Sequence, residues 1–155
     1  MKCDLILPVW NQLEYTKACI TRLFATVDVP SRLIIINNGS NDGTTEYLKT
    51  LTPPSMLRVE IVSNPTNLGY GGGVNQGLKM SDAQFACILN NDTVFGPRWL
   101  STMIDVAFRD NRVGIVNPES STFGVRPQNG QTVVQLAESL SPKRRDYEEL
   151  GNCIG

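Results

Sequence analysis

Apolar residues come in short, nearly unbroken runs: Cys3 to Val9, Leu33 to Ile36, Val59 to Val62, Phe85 to Leu89 and Val113 to Val116. A strand with one wet face alternates apolar and polar residues, whereas a strand covered on both faces does not. Between the runs lie segments of helical spacing. Ile20, Leu23, Phe24 and Val27 fall at i, i+3, i+4 and i+7, and Leu100, Met103, Ile104, Ala107 and Phe108 form the clearest amphipathic face. Strand alternates with helix five times, which predicts an α/β fold with a mostly parallel sheet and helices on both faces.

The punctuation fits that pattern. Asn11 and Glu14 read as a capping pair opening the first helix, which Pro30 ends. Thr44 to Leu51 reads as a short helix closed by Pro53 and Pro54, and a glycine-weakened helix is expected from about Gly72 to Met80. Pro97 suits the first turn of the helix that carries Leu100. Beyond Asn117 the pattern decays, with Thr132 to Leu136 as one more candidate strand. The expected organisation is an α/β core over 1–117 and a further region over 118–155.

Composition removes several chemistries. There is no histidine in the 155 residues, which excludes Ser-His-Asp and Cys-His catalysis and imidazole-bound zinc. Fourteen basic against fifteen acidic residues give a net charge of −1, without the basic surplus of a nucleic-acid binder. Cys3, Cys19, Cys87 and Cys153 form no C-x-x-C pair; three of them sit inside apolar runs and read as small hydrophobes, which fits a reducing compartment. The stretch from Met1 lacks the apolar length expected of a signal peptide, and no stretch approaches the roughly 20 apolar residues of a membrane span. A cytoplasmic location is expected, including one peripheral to the inner face of the membrane.

In open parallel sheets, ligands bind beyond the carboxyl ends of the strands. The segments that follow the strands are Trp10-Asn11, Asn37-Asn38, Asn64 to Gly73 and Asn90-Asn91-Asp92. Asp92 beside two amides can hold a hard divalent cation that also touches phosphate, or can simply end the strand in a turn. Asn37 and Asn38 can read a pyrimidine edge, while Asp42 and Thr44 serve to cap the next helix. Asn67 to Gly77 admits a phosphate-cradling reading through its glycines, or a close helix–sheet packing reading. It is not a Rossmann fingerprint, since Val74 stands where a third glycine is needed, and it has no Gly-Lys-Ser/Thr. Trp10 and Trp99 read as core or pocket wall, with lining of a base pocket a further reading for Trp10, and Lys143-Arg144-Arg145 is neutralised by Asp146, Glu148 and Glu149.

Pro8-Val9-Trp10-Asn11, Asn37 through Thr44, Asn67-Leu68-Gly69-Tyr70 through Gly77, and Leu89 through Thr93 with Pro97 and Trp99 behind it together resemble glycosyltransferase family 2, nearest its rhamnosyltransferase-like members, over about Cys3 to Leu136. The resemblance implies a GT-A fold and a nucleoside-diphosphate sugar donor, UDP- or dTDP-linked. It implies Mg²⁺ or Mn²⁺ at Asp92, with Asn90 and Asn91 near the ribose. Nucleobase contacts map onto Val9, Asn11, Asn37 and Asn38, and Asn67, Gly69 and Gly71 map to a loop beside the nucleotide. Transfer would be metal-assisted and inverting, to a saccharide or lipid-linked acceptor of polysaccharide biosynthesis.

Two departures from the family pattern stand out. Asn37 replaces the usual Asp, and the acceptor-side carboxylate base has no counterpart before Gly155. The expectation is therefore a donor-binding part cut before its acceptor half, with the base beyond Gly155. Such a chain would bind donor without transferring sugar and would leave an apolar sheet surface uncovered. Rival readings are a non-catalytic nucleotide-sugar-binding domain and a sugar-phosphate nucleotidyltransferase, whose glycine-rich basic loop is missing after the first run.

Overall fold

The structure, a computed structural model, describes residues 2–118 and 127–140. The chain divides into two compact units, Met1–Phe95 and Gly96–Gly155. In the first, β1 (Cys3–Val9), α1 (Leu13–Thr26), β2 (Ser31–Asn37), α2 (Thr44–Lys49), β3 (Leu57–Ser63), α3 (Gly69–Met80) and β4 (Phe85–Ile88) alternate along the chain. The four strands form one parallel sheet in the order β3-β2-β1-β4. β1 is buried at all seven positions, so both faces of the sheet are covered there. The α/β expectation holds, and its anticipated basis, burial on both faces, holds for β1 and β2, whereas β3 and β4 leave Ile61 and Ile88 exposed. Leu5, Ile6, Leu7 and Leu33 through Ile36 have no exposed surface, each worth about 1.5–3 kcal/mol of gross hydrophobic transfer.

α3 lies close on β1 and β2 because it carries glycines on that side. A Cβ at Gly77 would come within 2.4 Å of Ile6 Cγ2, and one at Gly73 within 2.9 Å of Asn38 Nδ2 and 3.3 Å of Pro8. At its far end α3 is clamped by charge. Asp4 and Arg32 are register partners on β1 and β2, and Arg32 grips Asp4 with two bonds of 3.1 and 2.6 Å. Arg32 also donates to the Met80 carbonyl and Asp82, and the Ser81 hydroxyl donates to Asp4.

In the second unit, α4 (Trp99–Arg109) buries Leu100 and Ile104, and α5 (Val133–Leu140) follows. Three expectations fail here. Val113–Val116 is not a strand, and Ile115 is 90% exposed. A strand needs a neighbour's hydrogen bonds, and among the described residues β4 pairs only with β1. The run instead follows a turn in which the Val113 N–H donates to the Asp110 carbonyl. Thr132–Leu136 opens helix α5, because Thr132 Oγ1 caps the Gln135 N–H. Pro97 precedes the N-cap Arg98 and lies outside the first turn. Of the C-terminal charge cluster, Lys143 through Glu149 lies outside the described residues, as does Cys153. No helix among the described residues is long and apolar enough to cross a membrane.

Candidate functional site

The strand order sets the place. From β1 the chain steps outward through β2 to β3, then returns to β4 on the other flank of β1. Beyond the carboxyl ends of β1 and β4, neighbouring strands lead away in opposite senses and leave a crevice. Asn11 follows β1, Asn38 follows β2, Asn64 follows β3, and Asn90-Asn91-Asp92 follows β4.

Hydrogen bonds tie these four segments into one rim. After β1, Asn11 (φ 54°) and Gln12 (φ 59°) turn through left-handed backbone. The Asn11 N–H donates to Ser40 Oγ at 2.9 Å, and Asn11 Oδ1 accepts from the Asn41 N–H at 2.9 Å. The expected Asn11–Glu14 capping pair is absent, since Glu14 pairs with Lys17. Instead Asp42 reaches across, its Oδ2 accepting from the Leu13 N–H and its Oδ1 from the Thr44 N–H and hydroxyl. One carboxylate thereby serves the starts of α1 and α2. Burial pushes its pKa up, but the bonds from Thr44 and Leu13 outweigh this and hold it below the ordinary value.

The two amides at the end of β2, Asn37 in its last position and Asn38 just past it, are buried, at 2% exposure each. Asn37 Oδ1 accepts from the Ser40 N–H and its Nδ2 donates to Thr45 Oγ1, so its side chain shapes the loop from within. The Asn38 backbone N–H donates to the carbonyl of Val9 at 2.8 Å, itself a buried residue. Its Nδ2 donates to the Gly69 carbonyl at 3.1 Å, and its Oδ1 accepts from Asn64 Nδ2 at 2.9 Å. Asn64 and Gln76 form a reciprocal amide pair, 2.8 Å one way and 3.1 Å the other. Sequence reasoning placed Asn64 on the rim but singled out neither residue. The available signal was the parallel of an amide one step past β2 and another one step past β3.

α3 starts at Gly69, three residues earlier than expected, because Asn67 Oδ1 accepts from the Gly69 N–H at 2.8 Å and Gly69 has φ 74°. Gly71 is exposed, and a Cβ there would meet nothing within 4 Å. Packing therefore accounts for Gly73 and Gly77 and leaves Gly71 with open space before it. The Tyr70 hydroxyl donates to Asn90 Oδ1 at 2.9 Å, joining α3 to the β4 end. Asn91 Nδ2 donates to Thr16 Oγ1 on α1. Trp10, half exposed, flanks the β1 end.

Asp92 is exposed, and no hydrogen bond or ion pair engages its carboxylate among the described residues. Beneath it, Cys19 Sγ donates to the Asn90 carbonyl. Burial pushes this thiol up to about 12, with the Asp92 charge adding to the effect, which keeps it protonated at neutral pH. No cluster of three His, Cys, Asp or Glu residues exists among the described ones. One exposed carboxylate fits Mg²⁺ or Mn²⁺ only where substrate phosphate oxygens complete the shell, a common arrangement for Mg²⁺.

The family described as "Glycosyl transferase family 2" matches residues 4–153. Poly-beta-1,6-N-acetyl-D-glucosamine synthase of Staphylococcus aureus is 24% identical over 150 residues, covering 96% of this chain and 33% of that protein. N-acetylglucosaminyl-diphospho-decaprenol L-rhamnosyltransferase of Mycobacterium tuberculosis is 27% identical, covering 87% of this chain and 54% of that protein. Among solved structures, S. aureus TarS 1–349 in complex with UDP-GlcNAc superposes with a TM-score of 0.64 at 18% identity, over 77% of this chain and 38% of that one. Mannosyltransferase PcManGT from Pyrobaculum calidifontis, in complex with GDP-Man and Mn²⁺, gives 0.63 at 15% identity, over 78% and 36%. These likenesses establish the fold, GT-A. The chain spans about a third of the length of the Staphylococcus aureus synthase and about half that of the Mycobacterium tuberculosis enzyme.

Proposed function

The chain belongs to glycosyl transferase family 2, and from that premise we propose that the strand-end rim is the donor site of a glycosyltransferase, taking a UDP- or dTDP-linked sugar. The observation that carries the reading is the rim beyond the β1 and β4 ends, where an uncommitted carboxylate, Asp92, follows β4 at the same end of the sheet as the hydrogen-bonded amides that follow the other strands. The nucleotide complexes of TarS and PcManGT, which share the fold, support it.

Asn11 and the loop it holds, with Trp10, form the base side, and Asn90 and Asn91 stand on the ribose side. Asn67, Gly69 and Gly71 border the diphosphate, where Gly71 leaves room for approach. Asn37 and Asn38 act from within: their amides are engaged in the chain, so they shape the base side without reading the base directly. Asp92 would hold Mg²⁺ or Mn²⁺, which when bound supplies positive charge against the diphosphate.

In the proposed reaction an acceptor hydroxyl, on a saccharide or lipid-linked acceptor, displaces the nucleoside diphosphate at the anomeric carbon with inversion. The C–O bond to the diphosphate breaks as the new glycosidic bond forms. The acceptor proton passes to a carboxylate base that is assigned to none of the described residues. The fixed amides contribute preorganisation, needing no reorientation as charge develops on the leaving group.

Titration calorimetry of this chain with UDP-, dTDP- and GDP-sugars, with and without Mg²⁺ or Mn²⁺, tests the reading. Metal-dependent binding of the pyrimidine nucleotides is expected. Absence of binding by every nucleotide at millimolar concentration would overturn it.

A further inference from the structure

The Asn64–Gln76 amide pair joins the β3 end of the rim to α3, and its side-chain hydrogen bonds reach none of the residues assigned to the ligand directly. Asn64 Nδ2 uses both protons, one on Asn38 Oδ1 and one on Gln76 Oε1, while Asn64 Oδ1 accepts from Gln76 Nε2. Its backbone N–H donates to the Asn37 carbonyl at 2.8 Å, extending the β2–β3 ladder one step past the strands. Asn38 then reaches the Gly69 carbonyl in the first turn of α3.

These bonds close a circuit from the β2 end to the β3 end, into the middle of α3, and back to its first turn. The close approach that the circuit needs comes from Gly73 and Gly77, which bring α3 down onto Asn38, Pro8 and Ile6. The rest of that first turn carries Gly71 and Tyr70, whose hydroxyl holds Asn90. A shift of α3 along or about its axis would therefore move the diphosphate side and the ribose side together.

We infer that Asn64 and Gln76 are positioning residues for the donor nucleotide, holding the first turn of α3 in register with the strand ends. This rests on the donor-site reading above. A planar amide pair suits the task because two opposed hydrogen bonds fix distance and orientation at once, and a half-satisfied amide in a part-buried setting is penalised.

The test is UDP affinity with Mg²⁺, alongside thermal melting, for wild type, Gln76→Met, Gln76→Asn and the double variant Asn64→Gln/Gln76→Asn. The double variant exchanges the two side-chain lengths and so can restore the pair. Each single variant is expected to weaken UDP at least fivefold, and the double variant to recover to within about threefold of wild type. Single variants that melt lower yet bind UDP within twofold of wild type would overturn the inference, leaving the pair a purely structural contact. An equal loss in the double variant would overturn it too. A wild-type chain that binds no UDP would instead defeat the donor-site reading, so the two failures are distinct.

Discussion

At Asp92 and Asp42, identical side chains near one rim have opposite assignments, and their partners decide which is which. Asp42 accepts from the Leu13 and Thr44 N–H groups, so Asp42→Ala removes a cap from two helices. About 1–2 kcal/mol of lost stability is expected in chemical denaturation. Asp92 has no such duty. Asp92→Asn should change stability by no more than about 0.5 kcal/mol, as for an ordinary surface site, yet abolish the metal-dependent part of UDP binding. A variant that keeps metal-dependent binding would make Asp92 a turn residue. Asn38→Ala belongs with Asp42, since it leaves the Gly69 carbonyl and Asn64 amide short of a partner. A loss of about 1–3 kcal/mol is expected. The sequence shows that Asn38 ends a strand, but not that its amide is consumed by groups 26 and 31 positions away.

Among the elements, legibility follows how local the cause is. β1 and β2 are read from their apolar runs, and α1 from a face whose Ile20 and Leu23 are indeed buried. Val113–Val116 has the same apolar content and forms no strand, because pairing depends on a neighbour that a local pattern does not reveal. α3 begins early, right after a turn that Asn67 Oδ1 closes on the Gly69 N–H, despite the poor helix propensity of its glycines. The other end of α3 depends on the Asp4–Arg32 clamp. Burial pushes Asp4 up, but bonds from Arg32 and Ser81, the Arg32 charge and the Asp82 N–H hold it below its ordinary value of 3.8. Such a carboxyl adds stability in full above its unfolded-state value and loses it as pH falls through the folded-state value. The clamp should therefore weaken below about pH 4. Asp4→Asn should cost about 1.5–3 kcal/mol at pH 7 by removing the charge-assisted bonds at the buried end of the clamp, while Arg32 keeps Asp82 and the Met80 carbonyl, and should flatten the acid limb of a stability–pH curve. An unchanged acid limb would mean that other carboxyls govern it.

Across the molecule, the parallel sheet brings every strand's carboxyl end to one rim, and the order β3-β2-β1-β4 opens the crevice beside β1. α3 links the two ends of the sheet, clamped by charge at Met80 to Asp82 and by amides at Gly69. The rim and the strand starts lie about 20 Å apart for seven-residue strands, far enough for a ligand at one end to leave the other untouched. That separation makes the location of the donor site directly measurable. The ¹⁵N-labelled chain titrated with UDP in the presence of Mg²⁺ should show amide shifts at Asn11, Ser40, Gly69 to Gly71 and Asn90 to Thr93. The amides of Cys3, Ser31, Leu57 and Phe85, at the opposite end of the sheet, should stay in place. Shifts clustered at those strand starts, or none at saturating UDP, would contradict a donor site at the rim.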